Sequence, residues 1–327
     1  MPAGTSPGMG CLLLSALVRA VGTDMPTYEL RQEAYYSIKN GQAACWVAFA
    51  ALPPDFQGQR LRQWRITSPS ASVQRVQTNE RSGDRYLCLA FPALDEAQHA
   101  ELRFTLEMVV EFSGRTRDRG NLPAPYARPR PLDREHSTDY FDFHLPAFTS
   151  WVRDNALSRE RGEPTGSYAE RIGGQLRGVL RTMDTQGVSA LTTCQRGGGT
   201  CAGLSSVFVS LMRAHGIPAR SLVGRFCVSG NRGSKHVRPQ FYDEKTGWHT
   251  LDITFLISGS KSYAQNLDRQ DAFLVQYLYP RIQVHSPVLE PQPEVPSLQE
   301  TYASYTALRG TPQWDEVFDS WEAKRIG

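Results

Sequence analysis

One stretch, residues 197–220, constrains the fold of this chain more than any other. Three glycines lead into Thr200 and Cys201, and apolar side chains then recur three and four positions apart, which predicts an amphipathic helix. Thr200 can cap the start of this helix through its hydroxyl group. Gly216 and Pro218 are residues that end helices. The apolar face consists of Leu204, Val207, Phe208, Leu211 and Met212.

Cys201 is predicted in the first turn of this helix, where unpaired backbone amides and the helix dipole favour a thiolate. Cysteines in such positions can have pKa values lowered to roughly 3.5–7.5, which makes them nucleophiles at neutral pH. The alternative is a small buried side chain without a chemical role, as most cysteines are. The choice between the two depends on whether the rest of the chain supplies a base.

The chain has 327 residues, enough for two domains that each bury a core, with 40% hydrophobic and 21% charged residues. Lys and Arg number 36 and Asp and Glu number 33, and the net charge of +3 is too small to indicate a nucleic-acid or membrane-surface partner. The six cysteines are dispersed, and no His/Cys cluster has the spacing of a zinc site. We therefore expect neither a metal nor a cofactor.

Residues 1–25 are expected to be poorly ordered. Residues 11–18 form an apolar run with the length of a signal-peptide core, but no Lys or Arg precedes it and Arg19 interrupts its end. The run is far too short to span a bilayer. These features favour the cytoplasm, with a secreted or periplasmic location as the alternative. They also raise the hypothesis that the natural chain starts at Met25.

Residues 26–115 follow a period of two, which is typical of strands with one buried and one exposed face. Turn residues such as Asn40-Gly41 and Pro53-Pro54 separate the apolar runs. The pattern favours an antiparallel β-sandwich with a structural or recognition role. The proline-rich and charged segment 116–135 is expected to be a linker. The predicted strands are 28–38, 43–52, 61–67, 72–78, 86–91 and 101–112.

Residues 136–290 change to the helical period and then return to strands, which predicts a second domain. Helices are predicted at 146–157 and from Ser167, where the residue pattern matches a capping box, and 191–199 is expected to be a loop. Residues 291–327 are expected to be an extended tail with a short amphipathic helix. The apolar face of that helix is Trp314, Val317, Phe318 and Trp321.

A predicted hairpin in the second domain supplies the base. His236 and Asp252 are each eight residues from Glu244, so a hairpin centred there places them opposite each other on one face. A carboxylate beside a histidine orients the imidazole as a general base. If the helix packs on this sheet, Cys201 is the nucleophile, His236 is the base and Asp252 is the orienting group.

These residues resemble the transglutaminase-like superfamily of prokaryotes. Gly199-Thr200-Cys201 opens a helix that ends in a segment typical of that family, Arg213-Ala214-His215-Gly216-Ile217-Pro218-Ala219-Arg220. His236 matches the strand histidine of the family, and Gly247-Trp248-His249-Thr250-Leu251-Asp252 resembles its G-W-x-x-x-D strand. The likeness covers about residues 140–256. Ile253 departs from the pattern, because a proline commonly follows the aspartate.

The resemblance implies an α+β fold, in which an N-terminal antiparallel β-sandwich precedes a papain-like transglutaminase core of helices packed on an antiparallel sheet. It also implies a thioester on Cys201, with His236 as base and later acid. Acyl transfer to water would hydrolyse a protein or peptide amide, and transfer to an amine would form a cross-link. The Cys201 backbone amide is one candidate donor to the oxyanion.

We favour hydrolysis, because cross-linking requires the exclusion of water and the sequence gives no sign of a tunnel that would achieve it. The expected partner is a protein or peptide substrate, with no nucleic acid and no integral membrane segment. The competing hypothesis is a transglutaminase-fold binding module that has lost activity. A deglycosylating or amine-acetylating relative of the same core would share the Cys, His and Asp. The oligomeric state stays open.

Overall fold

The computed structural model describes residues 26–327, except 57, 70, 72, 81, 92–99, 113–123, 136–139, 185–187, 228–233, 270, 279–281, 287–288, 290–293, 296–298 and 300. The predicted N-terminal segment, residues 1–25, lies outside the described residues. Antiparallel strands come first and a domain of helices and strands follows. The predicted α+β fold class is therefore confirmed.

The first domain, here called the β-domain, is organised around its long first strand. The first half of this strand pairs with the fifth strand and its second half pairs with the fourth. The sheet has the order β2-β5-β1-β4-β3. Its strands are β1 (Thr27–Leu52), β2 (Gln59–Thr67), β3 (Val73–Thr78), β4 (Arg85–Phe91) and β5 (Ala100–Phe112).

β1 corrects the predicted turn at Asn40-Gly41, because the strand continues through it. The register of β1 against the C-terminal strand of the chain, described below, shifts on both sides of Gly41. Such bulges let a strand bend without ending. Alternate side chains from both halves of β1 therefore enter one core, in which Leu30 and Ala48 lie with Leu106.

The second domain places one helix on an antiparallel sheet. Over the described residues this sheet has four strands in the order β10-β9-β8-β11, and α6 packs on it. Within the same residues no helix combines the length and apolar character that crossing a membrane requires. The elements are α1 (Ala124–Ala127), α2 (Leu132–Glu135), α3 (Pro146–Asp154), α4 (Thr165–Val179), β6 (Arg181–Thr182), α5 (Ala190–Arg196), β7 (Gly198–Gly199), α6 (Cys201–Ala214), β8 (Ala219–Phe226), β9 (Lys235–Asp243), β10 (Gly247–Thr250), α7 (Ile253–Ile257), α8 (Tyr263–Asn266), β11 (Phe273–Tyr277), β12 (Ile282–Gln283) and β13 (Glu294–Val295).

Several local predictions in this domain differ from the structure. α4 begins after Pro164, so Ser167 lies inside the helix and is not its cap. Most of the predicted loop 191–199 is helix α5, which Ser189 caps. Where the predicted linker 116–135 is described it is packed, since Tyr126 and Asp133 are buried. Short sequence patterns could not show these tertiary contacts.

The tail is a strand, β14 (Tyr302–Arg325), and the predicted helix is wrong. β14 pairs antiparallel with β1 between Tyr28 and Phe49 and completes a sheet of six strands in the described part of the chain. Trp321 is 2% exposed and enters the β-domain core, whereas Phe318 is 46% exposed. The backbone groups of β1 give the tail an extended partner that overrides its helical spacing.

The two domains meet along the second half of β1. Val47 and Phe49 share an apolar cluster with Val223 and Val237 of the second sheet. Cys201 packs against the same cluster. The start of α6 therefore lies where the β-domain meets the second domain.

Candidate active site

Cys201 is the first residue of α6, as predicted. Thr200 precedes it in an extended conformation, and its hydroxyl oxygen accepts a hydrogen bond from the Gly203 amide at 3.5 Å. The Cys201 side chain is partly exposed. The sulfur thus sits at the positive end of the helix dipole, where a negative charge is favoured.

His236 lies near the start of β9 and is buried. Its ring stacks on Phe226 with the ring centroids 4.9 Å apart. Nε2 lies 2.9 Å from Asp252 Oδ2, so Nε2 carries a proton toward the carboxylate. His236 also lies near enough to the Cys201 thiol to lower its pKa.

Asp252 is the N-cap of α7 and is 1% exposed. Its Oδ1 accepts from the Phe255 amide at 3.3 Å. Its Oδ2 accepts from His236 Nε2 and from Arg238 Nε, each at 2.9 Å. The helix cap fixes one oxygen of the carboxylate, and the two cationic side chains share the other.

The hairpin register differs from the prediction. Asp243 pairs with Gly247 and Gln240 with Thr250, so the hairpin is centred on Lys245, one residue later than predicted. Gly247 adopts a φ of +85° in this turn, a conformation that favours glycine. Asp252 consequently lies past the end of β10 and not directly opposite His236. The two side chains still meet, because diagonal neighbours across a hairpin are within reach of long side chains.

The charges at the site reinforce one another. Burial alone would raise the pKa of the Cys201 thiol, but the hydrogen bond and charge of His236, with the Val237 amide, lower it overall. Burial also opposes a charge on His236, yet Asp252 and Cys201 raise its pKa to about 9. Burial would raise the pKa of Asp252, but His236 and Arg238 hold it well below its usual range. These shifts favour a thiolate–imidazolium pair at neutral pH.

Two charged residues beside this trio were missing from the sequence prediction. Arg238 donates from Nη1 and Nη2 to the two carboxylate oxygens of Asp271, at 2.8 and 2.5 Å. One sequence signal could have identified Arg238, because it lies two residues from His236 and so on the same face of a predicted strand. Nothing local in the sequence connects Asp271 with that strand.

A second histidine–aspartate pair lies in the same hairpin. His249 Nδ1 is 2.8 Å from Asp268 Oδ2, and its Nε2 is 2.6 Å from Thr246 Oγ1. The His249 ring stacks on Phe241 at 5.3 Å between centroids. Both ring nitrogens of His249 therefore have partners other than a thiol, which makes this residue a matched control for His236.

A thiol at a helix N-terminus, beside a hydrogen-bonded imidazole and carboxylate, has the arrangement of a site for nucleophilic chemistry at a carbonyl carbon. Residues 150–253, which hold Cys201, His236 and Asp252, match the model of the transglutaminase-like superfamily. This part of the chain is therefore a transglutaminase-like domain.

Solved structures match large parts of the chain. One, from Cytophaga hutchinsonii and described as a "putative cysteine protease", has a TM-score of 0.55 and 12% identity over 93% of this chain and 92% of that one. That likeness shows a shared fold. The periplasmic domain of TgpA from Pseudomonas aeruginosa matches with a TM-score of 0.35 and 15% identity, over 79% of this chain and 96% of that one. Comparison with curated proteins found no match.

Proposed function

We propose that this protein hydrolyses amide bonds of a protein or peptide through a thioester on Cys201. The observation that carries the proposal is the 2.9 Å hydrogen bond between the buried His236 and Asp252, beside a Cys201 thiol whose pKa His236 lowers. A buried histidine that is oriented by a carboxylate and lies beside a thiol is suited to act as the general base for that thiol.

In the first step the Cys201 thiolate attacks the carbonyl carbon of the amide and forms a C–S bond. The carbonyl oxygen becomes an oxyanion, for which the Cys201 backbone amide at the start of α6 is the candidate donor; such a donor contributes about 3–4 kcal/mol where it has been measured. The imidazolium of His236 then gives its proton to the amide nitrogen. The C–N bond breaks, the amine leaves and a thioester remains.

In the second step water replaces the amine. His236, now neutral, takes a proton from water as the oxygen attacks the thioester carbonyl. The C–S bond breaks, the carboxylic acid leaves and the thiolate–imidazolium pair is restored. Asp252 holds the ring orientation in both steps and stabilises the charged imidazolium, without itself taking a proton.

Hydrolysis is proposed over cross-linking because the Cys201 side chain is partly exposed, so water can reach a thioester formed there. An amine acceptor would need a site that excludes water from the same sulfur. The competing outcome is a binding module of the same fold, in which the three side chains have no chemical task.

Labelling of the thiol tests the proposal. Iodoacetamide near pH 7 should modify Cys201 well before the partly exposed thiol of Cys45, with the sites mapped by mass spectrometry. His236→Ala should slow labelling of Cys201 by about 10-fold or more, because a neutral thiol is far less reactive than a thiolate. His249→Ala is the matched control and should leave the rate unchanged.

Turnover is the second readout. A library of peptide amides should yield new carboxylates with the native protein and none with Cys201→Ala, while Cys45→Ala retains the activity. Acid quenching during turnover should trap the acyl group on Cys201. Labelling of Cys201 no faster than that of Cys45, together with no cleavage by the native protein, would support the binding module.

A further inference from the structure

The trio of Cys201, His236 and Asp252 does not end at the carboxylate. Arg238 Nε donates to the same Asp252 oxygen that faces His236. Beyond it, Asp271 receives both Arg238 Nη groups and lies 3.3 Å from Arg269 Nε. From the imidazolium outward, the signs of the charges alternate through these side chains.

Arg238 is fixed as well as charged. It is 3% exposed, and its guanidinium lies over the rings of Phe273 and Phe226, at 4.5 and 5.0 Å from their centroids. The bidentate fork to Asp271 sets the plane of the guanidinium, a geometry that lysine cannot reproduce. A group held this firmly can in turn fix the carboxylate of Asp252.

Arg238 also introduces a conflict. Two cations on one carboxylate oxygen repel each other, and the repulsion is weakly screened in a buried site. Without a counter-charge, Arg238 would disfavour the protonated state of His236. Asp271 supplies that counter-charge directly on the far side of the guanidinium.

We propose that Arg238 and Asp271 are positioning residues of the active site, in which Arg238 fixes the Asp252 carboxylate and Asp271 neutralises Arg238 so that the His236 imidazolium is kept. The inference rests on the proposed function of Cys201 and His236. It assigns to neither Arg238 nor Asp271 any contact with substrate.

The test is the pH dependence of Cys201 alkylation by iodoacetamide, which needs no substrate. In a plot of the alkylation rate against pH, the limb at high pH reports loss of the imidazolium proton. Asp271→Asn leaves the charge of Arg238 uncompensated, so this limb should move to lower pH, by about 0.5–1 unit. Arg238→Gln removes the positive charge, so the limb should move to higher pH by a similar amount.

Charge and geometry are separated by two further variants. The double variant Arg238→Gln/Asp271→Asn removes both charges and should return the limb close to its native pH. Arg238→Lys keeps the charge and loses the fork, so the limb should stay in place while the maximal rate falls about 3- to 10-fold, the loss expected of imperfect orientation. Arg65→Gln and Glu107→Gln, which break an exposed ion pair on the β-domain, are the controls and should change neither quantity.

A merely structural role would lower thermal stability without moving the limb in opposite directions, and that result would overturn the inference. Asp271→Asn is nearly isosteric and decides the question by itself if Arg238→Gln does not fold. If native Cys201 is unreactive, the proposed function fails; if native Cys201 is reactive and the limbs of all variants coincide, only the present inference fails.

Discussion

Asp84, in the turn between β3 and β4, accepts hydrogen bonds from the backbone amide of Leu278, at 3.2 Å to Oδ1 and 3.3 Å to Oδ2. The contact joins the β-domain to the segment that follows β11. Burial raises the pKa of Asp84 to about 7, against hydrogen bonds from Ser82 and Leu278 that favour the charge. This contact between the domains therefore contains a carboxyl group that titrates near neutral pH.

The sign of the pH effect follows from that shift. In the unfolded chain Asp84 ionises near its ordinary pKa of about 4, whereas in the folded protein it keeps its proton up to about pH 7. Rising pH between these values therefore favours unfolding. Asp84→Asn removes this loss. The free energy of unfolding of the variant minus that of the native protein should therefore increase between pH 4 and pH 8, by up to about 4 kcal/mol. Urea titrations at both pH values measure the difference, and an equal effect at both would contradict it.

A second prediction concerns the pH range of Cys201 reactivity. The alkylation rate should rise at a pH below the ordinary thiol pKa of about 8.5, because His236 lowers the pKa of Cys201. It should change again near pH 9, where the imidazolium loses its proton. His236→Ala should leave one rise, at higher pH than the first rise of the native protein, since the main influence that lowers the pKa of Cys201 is then lost. A single rise near pH 8.5 in the native protein would contradict the ion pair.

Asp252 should also contribute to stability. The pKa of Asp252 is depressed in the folded protein. Its contribution to the free energy of unfolding is therefore fully present above the pKa of the unfolded chain and is lost as the pH falls toward the lower pKa of the folded protein. Asp252→Asn leaves two buried cationic groups short of their partner and should lower the free energy of unfolding at pH 7 by about 3–5 kcal/mol. Denaturant unfolding measures this loss. Asp154→Asn, on an exposed aspartate, is the control and should stay within about 0.5 kcal/mol of the native value.

Gly224 tests the contact between β8 and β11. This glycine pairs with His236, and a Cβ there would lie 1.8 Å from the Leu274 carbonyl oxygen. Because backbone must move to make room, Gly224→Ala should destabilise the protein by about 3 kcal/mol or more. Gly174→Ala, in a helix with open space around the added Cβ, should instead be neutral or stabilising by up to about 1 kcal/mol. Melting temperatures of the two variants decide this, and equal losses would contradict the prediction.

The tail strand gives a further matched pair. Trp321 is buried in the β-domain core and Phe318 is exposed on the same strand. Trp321→Ala should cost about 3–5 kcal/mol, whereas Phe318→Ala should change the free energy of unfolding by less than about 0.5 kcal/mol. Urea unfolding followed by circular dichroism measures both. Similar losses in the two variants would show that β14 does not lie in the sheet as described.

The sequence predicted what depends on local pattern. The period-two runs of the β-domain became strands close to their predicted bounds, as at β5 (Ala100–Phe112). The cap at Thr200 and the helix from Cys201 rest on neighbouring residues, and both are confirmed. His236 and Asp252 were paired from spacing alone, and their side chains lie together although the register is different.

What could not be predicted depends on distant partners. Trp314 to Trp321 fit a helical face as well as a strand, and the pairing with β1 decided between them. Asn40-Gly41 has turn chemistry, but the pairing of β1 with β14, which includes Gly41 with Gly310, carries the strand through it. Asp271 reaches Arg238 across 33 residues of sequence, and no periodicity reports such a contact.

The pairing of β1 with β14 imposes an order on folding during synthesis. The backbone amide of Thr27 donates to the Gly327 carbonyl at 3.2 Å, and the Ile326 amide donates to Thr27 at 2.9 Å. A ribosome releases β1 long before it makes β14, and the second domain emerges in between. Contacts of such long range form late and slowly. The sheet of the β-domain can close only after translation of the strand that completes it.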